Sequence, residues 1–234
     1  MEQDRKFDLE ALRPVEYISE PDFRNTIYVV FDEKGRRPYE IADHYRAIDQ
    51  IKLQTGVPES ILVQFETVKN LYLYAWFIYR FYPVAEHQAY ACLELALRLR
   101  YEKEIPKKYF AGEKKPGLSA LLRYACDRGH IKNEGFRRWR EAVDRRTEDR
   151  YEIEKLDKMN KKGLKSIGLD YSEIQITDTD KDLDYVKVLR DTLPYLRNHY
   201  AHGTTMLHNQ VLGTIELVSG VINQIYPLGA SIDS

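Results

Sequence analysis

VAEHQAYACLELALRLRYEKE, residues 84–104, is the stretch that decides the fold class. Ala89, Cys92, Leu93, Ala96, Leu97 and Leu99 recur in it at helical spacing and predict the most uniformly apolar helix of the chain. The period continues on both sides. Upstream, a helix is expected from Pro58 to about Tyr82, with Leu62, Phe65, Val68, Leu71/Tyr72, Ala75/Trp76 and Tyr79 as its stripe and Pro83 breaking or restarting it. Downstream, Pro106, Gly112, Pro116 and Gly117 mark a lysine-rich loop. A short helix from Leu118 to about Arg128 follows, closed by Gly129. Two further helices are expected near Asp182–His202 and Leu207–Tyr226. The fold class is therefore mainly all-α, an up-and-down bundle of about five helices.

Residues 1–57 read differently, as a small N-terminal extension. Thr26-Ile27-Tyr28-Val29-Val30-Phe31 is a strand signal, and Asp32-Glu33-Lys34-Gly35 a turn. A short extended piece follows near Arg37–Tyr39. Ile41, Tyr45, Ile48 and Lys52 or Leu53 then define a helix that ends before Gly56. The division is 1–57 for the extension and 58–234 for the bundle, with a charged insertion around 132–180.

The chain has 234 residues, 43% hydrophobic and 31% charged, which suits a folded globule. Lys plus Arg is 36 against 37 Asp plus Glu, so a histone-like nucleic-acid coat is excluded while a local basic site is not. The strongest local bias lies in Lys132–Lys165, with 12 Lys/Arg against 8 Asp/Glu. Phe136, Trp139 and Val143 give this stretch an amphipathic helical period. It reads either as a solvated helix laced with i,i+4 ion pairs or as a phosphate-facing arm carrying Arg137, Arg138, Arg140, Arg145 and Arg146. The opening MEQDRKFDLE is charged where a signal peptide is apolar, and the most apolar run, Leu71–Phe81, is about half a membrane span. Cys92 and Cys126 form neither a metal-ligand spacing nor a disulfide framework. No membrane association and a cytoplasmic location are the expectations.

The segment that carries chemistry is Leu196-Arg197-Asn198-His199-Tyr200-Ala201-His202-Gly203. It closes a helix with apolar positions Val186, Leu189, Leu193 and Leu196, and Gly203 is a natural stop. His202 should sit in the last turn, where the helix dipole favours its protonated form. Asn198 and His202 share a face, whereas Arg197 and His202 diverge by roughly 140°. They converge on one ligand only if the last turn distorts or a partner chain helps. Arg can hold two phosphate oxygens and His can shuttle a proton, a pairing suited to a phosphodiester. A helix end with a dipole-stabilising His and a surface Arg is the plainer alternative.

The run Arg197-Asn198-x-x-x-His202-Gly203 resembles the signature of the HEPN superfamily, the helical "higher eukaryotes and prokaryotes nucleotide-binding" domain. Residues 84–100, with Glu94 among apolar neighbours, are similar to that family's acidic-residue-bearing core helix. LSALLRYACDRGHI (118–131) is similar to its short third helix. The resemblance covers roughly residues 58–228. It implies a metal-independent endoribonuclease, homodimeric, with RNA as substrate and no cofactor or metal. The ribose 2′-OH attacks the adjacent phosphate to leave a 2′,3′-cyclic phosphate. His202 would be the general acid/base, Arg197 would stabilise the phosphorane, and Asn198 would orient His202 or the phosphate. It further implies a toxin or phage-defence effector held by an antitoxin or regulatory partner. A non-catalytic relative, binding RNA, nucleotide or protein through the same cleft, is one alternative, and a structural or regulatory dimerisation module is the other.

Supporting residues stay open. Glu94 could pair with Arg197 and orient it, or complete a core polar network. His199 lies beside the motif but points about 100° from Asn198. His208 reads as packing at the start of the last helix. His44, His87 and His130 are scattered and form no metal-ligand pair. The many tyrosines of residues 65–82 read as core or as a helix-on-helix dimer seam.

Overall fold

Small and apolar residues on successive turns let neighbours approach residues 84–101 from several sides, and the computed structural model surrounds that segment accordingly. The structure describes residues 7–201 and 207–228. Its helices are α1 (Phe23–Thr26), α2 (Ile41–Asp49), α3 (Glu59–Tyr74), α4 (Phe81–Tyr101), α5 (Leu118–Asp127), α6 (Arg137–Lys161), α7 (Tyr185–Ala201) and α8 (Leu212–Ile225). A single antiparallel hairpin, β1 (Val29–Asp32) with β2 (Gly35–Pro38), pairs Val29 with Pro38 and Asp32 with Gly35. Among the described residues the fold is thus mainly helical.

Helix α4 packs against α3, α5, α7 and α8. Ala85, Ala89 and Ala96 are fully buried and let those neighbours approach closely. Leu93, Leu97, Tyr90 and Tyr101 fill the spaces between, against Ile61, Phe65 and Val68 of α3, Leu121 of α5, and Ile215, Val218 and Ile222 of α8. Each large apolar side chain buried contributes about 1.5–3 kcal/mol, more than any surface ion pair here. Tyr72, Tyr79 and Tyr82 belong to this core, so the aromatic stripe is internal packing. Both cysteines are free, and burial pushes the Cys92 thiol up to about 12 and that of Cys126 up to about 11. Neither supplies a thiolate near neutral pH.

Several boundaries differ from expectation. The break after α3 comes at Ala75–Arg80 rather than at Pro83, which lies in the first turn of α4, where no intrahelical N–H bond is lost. Ile61 rather than Leu62 faces the core, and Leu99, an expected core residue, is 55% exposed. Helix α2 ends at Asp49 and buries His44 and Ile48, while Ile41 and Tyr45 face outward. Of the expected Thr26–Phe31 strand only residues 29–31 are strand, and β1 runs one residue further, to Asp32. Helix α8 starts at Leu212, so His208 precedes it.

The N-terminal extension is anchored through buried polar groups on the turn between α3 and α4. Asp22 donates its N–H to the Trp76 carbonyl (2.9 Å), and its carboxylate receives Arg24 Nε (2.9 Å) and Nη2 (2.8 Å). Asn25 Nδ2 donates to the carbonyls of Ala75 (2.9 Å) and Trp76 (3.1 Å), and its Oδ1 accepts from the Tyr82 hydroxyl (3.0 Å). His44 stacks on Tyr72 with ring centroids 4.3 Å apart, and its Nε2 lies 2.8 Å from the Tyr72 carbonyl, to which it donates.

Within the charged 132–180 stretch, Arg137–Lys161 is a helix, as its period predicts. Helix α6 buries Trp139, Val143, Thr147 and Tyr151. Arg150 meets the buried Asp180 through Nε (3.0 Å) and Nη2 (3.0 Å), Arg146 donates to the Asp182 carbonyl (2.8 Å), and Trp139 Nε1 donates to that of Leu183 (2.8 Å). These bonds hold the 171–183 connection on α6. The Arg150 guanidinium, with the Thr177 amide, holds the Asp180 carboxyl well below the usual carboxylate range.

Two predictions follow from the anchor. Asn25→Ala leaves the Ala75 carbonyl and the Tyr82 hydroxyl without a partner, the Trp76 carbonyl keeping the Asp22 N–H, and should destabilise the fold by about 2 kcal/mol in urea unfolding. Burial lowers the His44 pKa below its ordinary value near 6.5. The unfolded chain then binds the proton first, so this stability is present above about pH 6.5 and lost as pH falls towards the lowered folded value. Melting temperature should drop between pH 7.5 and 5.5, and His44→Gln should flatten that slope. The similarly lowered His130 would leave a residue of it.

Candidate functional site

Arg197 stands in the last turns of α7, where Leu189, Leu193 and Tyr200 are buried and the opposite face is exposed. Its Nη2 meets Glu94 Oε2 of α4 at 2.6 Å, with side chains 34% and 14% exposed. Glu94 Oε1 receives Arg98 Nη2 at 2.8 Å, and Arg98 in turn lies 3.5 Å from Glu102. Arg197 Nη1 donates to Asn198 Oδ1 at 3.0 Å. One carboxylate thus orients two guanidiniums. The pairing alternative for Glu94 is the one the geometry contains.

This group opens on a cavity of about 340 Å³ lined by His87, Ala91, Glu94, Leu95, Arg98 and Arg197. His87 and Arg98 were not singled out as site residues. The signal was present, because His87, Ala91, Glu94, Leu95 and Arg98 follow at helical steps along one face of α4. His199 is exposed and lies outside this lining; its ring sits 6.5 Å from Tyr195 and 6.1 Å from Tyr200. His202 and Gly203 lie outside the described residues, so the expected Arg197–His202 relation has no geometry here.

A second polar group flanks the same end of α7. The buried Glu86 accepts from Thr214 Oγ1 of α8 (2.7 Å) and from the Tyr90 hydroxyl (3.3 Å), and its other oxygen lies 3.6 Å from His208 Nε2. That nitrogen also lies 3.0 Å from the Tyr200 hydroxyl. Burial, and next the Glu86 carboxylate, push the Tyr200 phenol well above its ordinary value. Residues before and after 202–206 are therefore pinned to one carboxylate of α4. Sequence reasoning missed Glu86 and gave His208 only a packing role. An acidic residue on the apolar face of the core helix was the available signal.

No group of three or more His, Cys, Asp or Glu side chains placed to hold a metal ion occurs among the described residues. No described helix is long and apolar enough to cross a membrane. No protein-family model matches the chain, and neither a curated protein nor a solved structure is significantly similar to it. The reading of this site rests on its own residues.

The Glu94–Arg197 pair is partly exposed and joins two helices already packed together. A double-mutant cycle with Glu94→Ala and Arg197→Ala should give a coupling of about 1 kcal/mol or less to stability. A much larger value would mean that the pair holds the fold rather than serving the cavity.

Proposed function

We propose that this chain is a metal-independent endoribonuclease that acts as a homodimer. The observation that carries the reading is Arg197, held by Glu94 at the edge of a cavity and still partly exposed. A guanidinium fixed in place before substrate arrives can stabilise charge that develops on a phosphate, at little reorganisation cost.

In the proposed reaction the ribose 2′-oxygen forms a bond to the adjacent phosphorus and the bond from phosphorus to the 5′-oxygen breaks. A base takes the 2′-OH proton and an acid delivers a proton to the leaving 5′-oxygen. The products are a 2′,3′-cyclic phosphate and a 5′-OH. His202 takes the acid/base role, Arg197 binds the non-bridging oxygens, and Asn198 positions the Arg197 guanidinium. With one His202 in each protomer, a dimer supplies both base and acid. Arg98, sharing Glu94 with Arg197, adds a second cation to the same cavity. The accompanying setting is a cytoplasmic toxin or phage-defence effector restrained by an antitoxin or regulatory partner.

The test is cleavage of a labelled RNA in EDTA with end-group analysis. The parent should leave 2′,3′-cyclic phosphate, and Arg197→Ala and His202→Ala should each lose about a hundredfold or more in rate. Equal cleavage by His202→Ala protein would sink the assignment. RNA binding without cleavage, unaffected by His202→Ala, would instead indicate the non-catalytic binding module.

A further inference from the structure

Where α6 begins, its arginines divide into two groups. Arg146 and Arg150 are spent on the 171–183 connection. Arg137, Arg138 and Arg140 instead line a cavity of about 440 Å³ between the start of α6, α8 and the end of α2. Lys52 joins them, and Glu216 is the one carboxylate in the lining, so four cations face one anion. Glu216 is shared by Arg137 (2.5 Å) and Arg138 (3.4 Å). Arg140 donates to the Glu134 carbonyl (2.6 Å) and has no ion pair among the described residues. Phe136, at the N-cap of α6, supplies no side-chain acceptor to the first amides of the helix, which adds partial positive charge.

The remaining wall suits an aromatic body. Phe136 and Tyr185 meet edge to face at 5.1 Å, with Ile51, Leu212 and Leu217 beside them and Ser219 and Asn223 as polar groups. Glycines shape the site. A Cβ on Gly213 would collide with the Arg138 guanidinium, and one on Gly220 would come 3.1 Å from the Phe136 ring. Arg138 therefore sits against the first turn of α8, in the lining of the cavity and near Glu216.

We infer that this cavity is a nucleotide site, taking a phosphate on Arg138 and Arg140 and a base or ribose against the half-buried ring of Tyr185, which the buried Phe136 backs. A permanent cation cluster selects phosphate, and the adjoining Tyr185 ring selects a flat aromatic group. The site is separate from the Arg197 cavity: Tyr185 and Arg197 lie twelve residues apart on α7 (185 to 197), about 18 Å at 1.5 Å per residue. It does not depend on the nuclease reading. The nucleotide can be free or part of an RNA strand, and the two are distinguished by the probes.

Binding is measured on the full chain carrying Arg197→Ala, so an RNA probe stays intact whatever the other site does. Calorimetry with AMP, adenosine and inorganic phosphate is run beside fluorescence anisotropy with a labelled RNA pentamer. AMP should bind about tenfold or more tighter than adenosine or phosphate alone. Arg140→Ala should weaken it about tenfold. Gly213→Ala should weaken it similarly while removing no charge, and Arg145→Ala, on α6 but outside the lining, should leave it unchanged. If AMP is silent but pentamer binding falls with Arg140→Ala and not with Arg145→Ala, the nucleotide is recognised within a strand. The inference is overturned if neither probe binds, if AMP does bind but no tighter than adenosine, or if Arg145→Ala weakens binding as much as Arg140→Ala.

Discussion

The burial of α4 against four other helices is the constraint on which the rest of the structure depends. A helix covered on several sides cannot turn its polar residues freely to water, so each acidic residue on it needs a partner from a neighbour. Glu86 draws on Thr214 of α8 and on the tyrosine and histidine groups around the end of α7. Glu94, two turns on, draws on Arg197 of α7 and Arg98 of its own helix. The apolar contacts bring α7 and α8 alongside α4, and the two carboxylates take their partners from the side chains that this packing brings within reach. The candidate site is a consequence of how the core helix satisfies its charges.

The same need for compensation explains the charged helix α6. Helix α6 carries few apolar residues and attaches through one narrow row, Trp139, Val143, Thr147 and Tyr151. Arg146 and Arg150 make up for the thin hydrophobic contact by gathering the following connection around Asp180. At the other end of α6, the glycines of α8 let Phe136 and Arg138 lie close. Of the two readings offered for this stretch, the ion-paired helix is seen in Arg137–Glu141 and Arg150–Glu154.

Helix existence was legible because apolar period and burial report the same thing. Phe65, Val68, Leu93, Leu97 and Ile222 face the core as their spacing requires. Boundaries were less legible. Pro83 looked like a break, yet a first helical turn has no N–H bond for proline to remove, and the chain turns earlier, where Asp22 and Asn25 grip the carbonyls of Ala75 and Trp76. Face assignments failed where two adjacent apolar residues compete, as with Ile61 and Leu62. They failed too where a polar residue is the buried one, as with His44, because hydropathy does not register a ring stacked on tyrosine and bonded to a carbonyl.

For the site, the sequence alone determined that Arg197 and Asn198 end a helix and that Glu94 sits among apolar neighbours where a carboxylate must be paired. Local spacing carries that information, since residues three and four apart share a helix face whatever the rest of the chain does. Only the tertiary structure decided that the partner of Glu94 is Arg197, 103 positions away, that His87 and Arg98 share the same cavity, and that Glu86 binds Thr214 across 128 positions. Such pairings depend on which helices pack against α4 and at what height. That is set by the summed burial of dozens of side chains rather than by any motif.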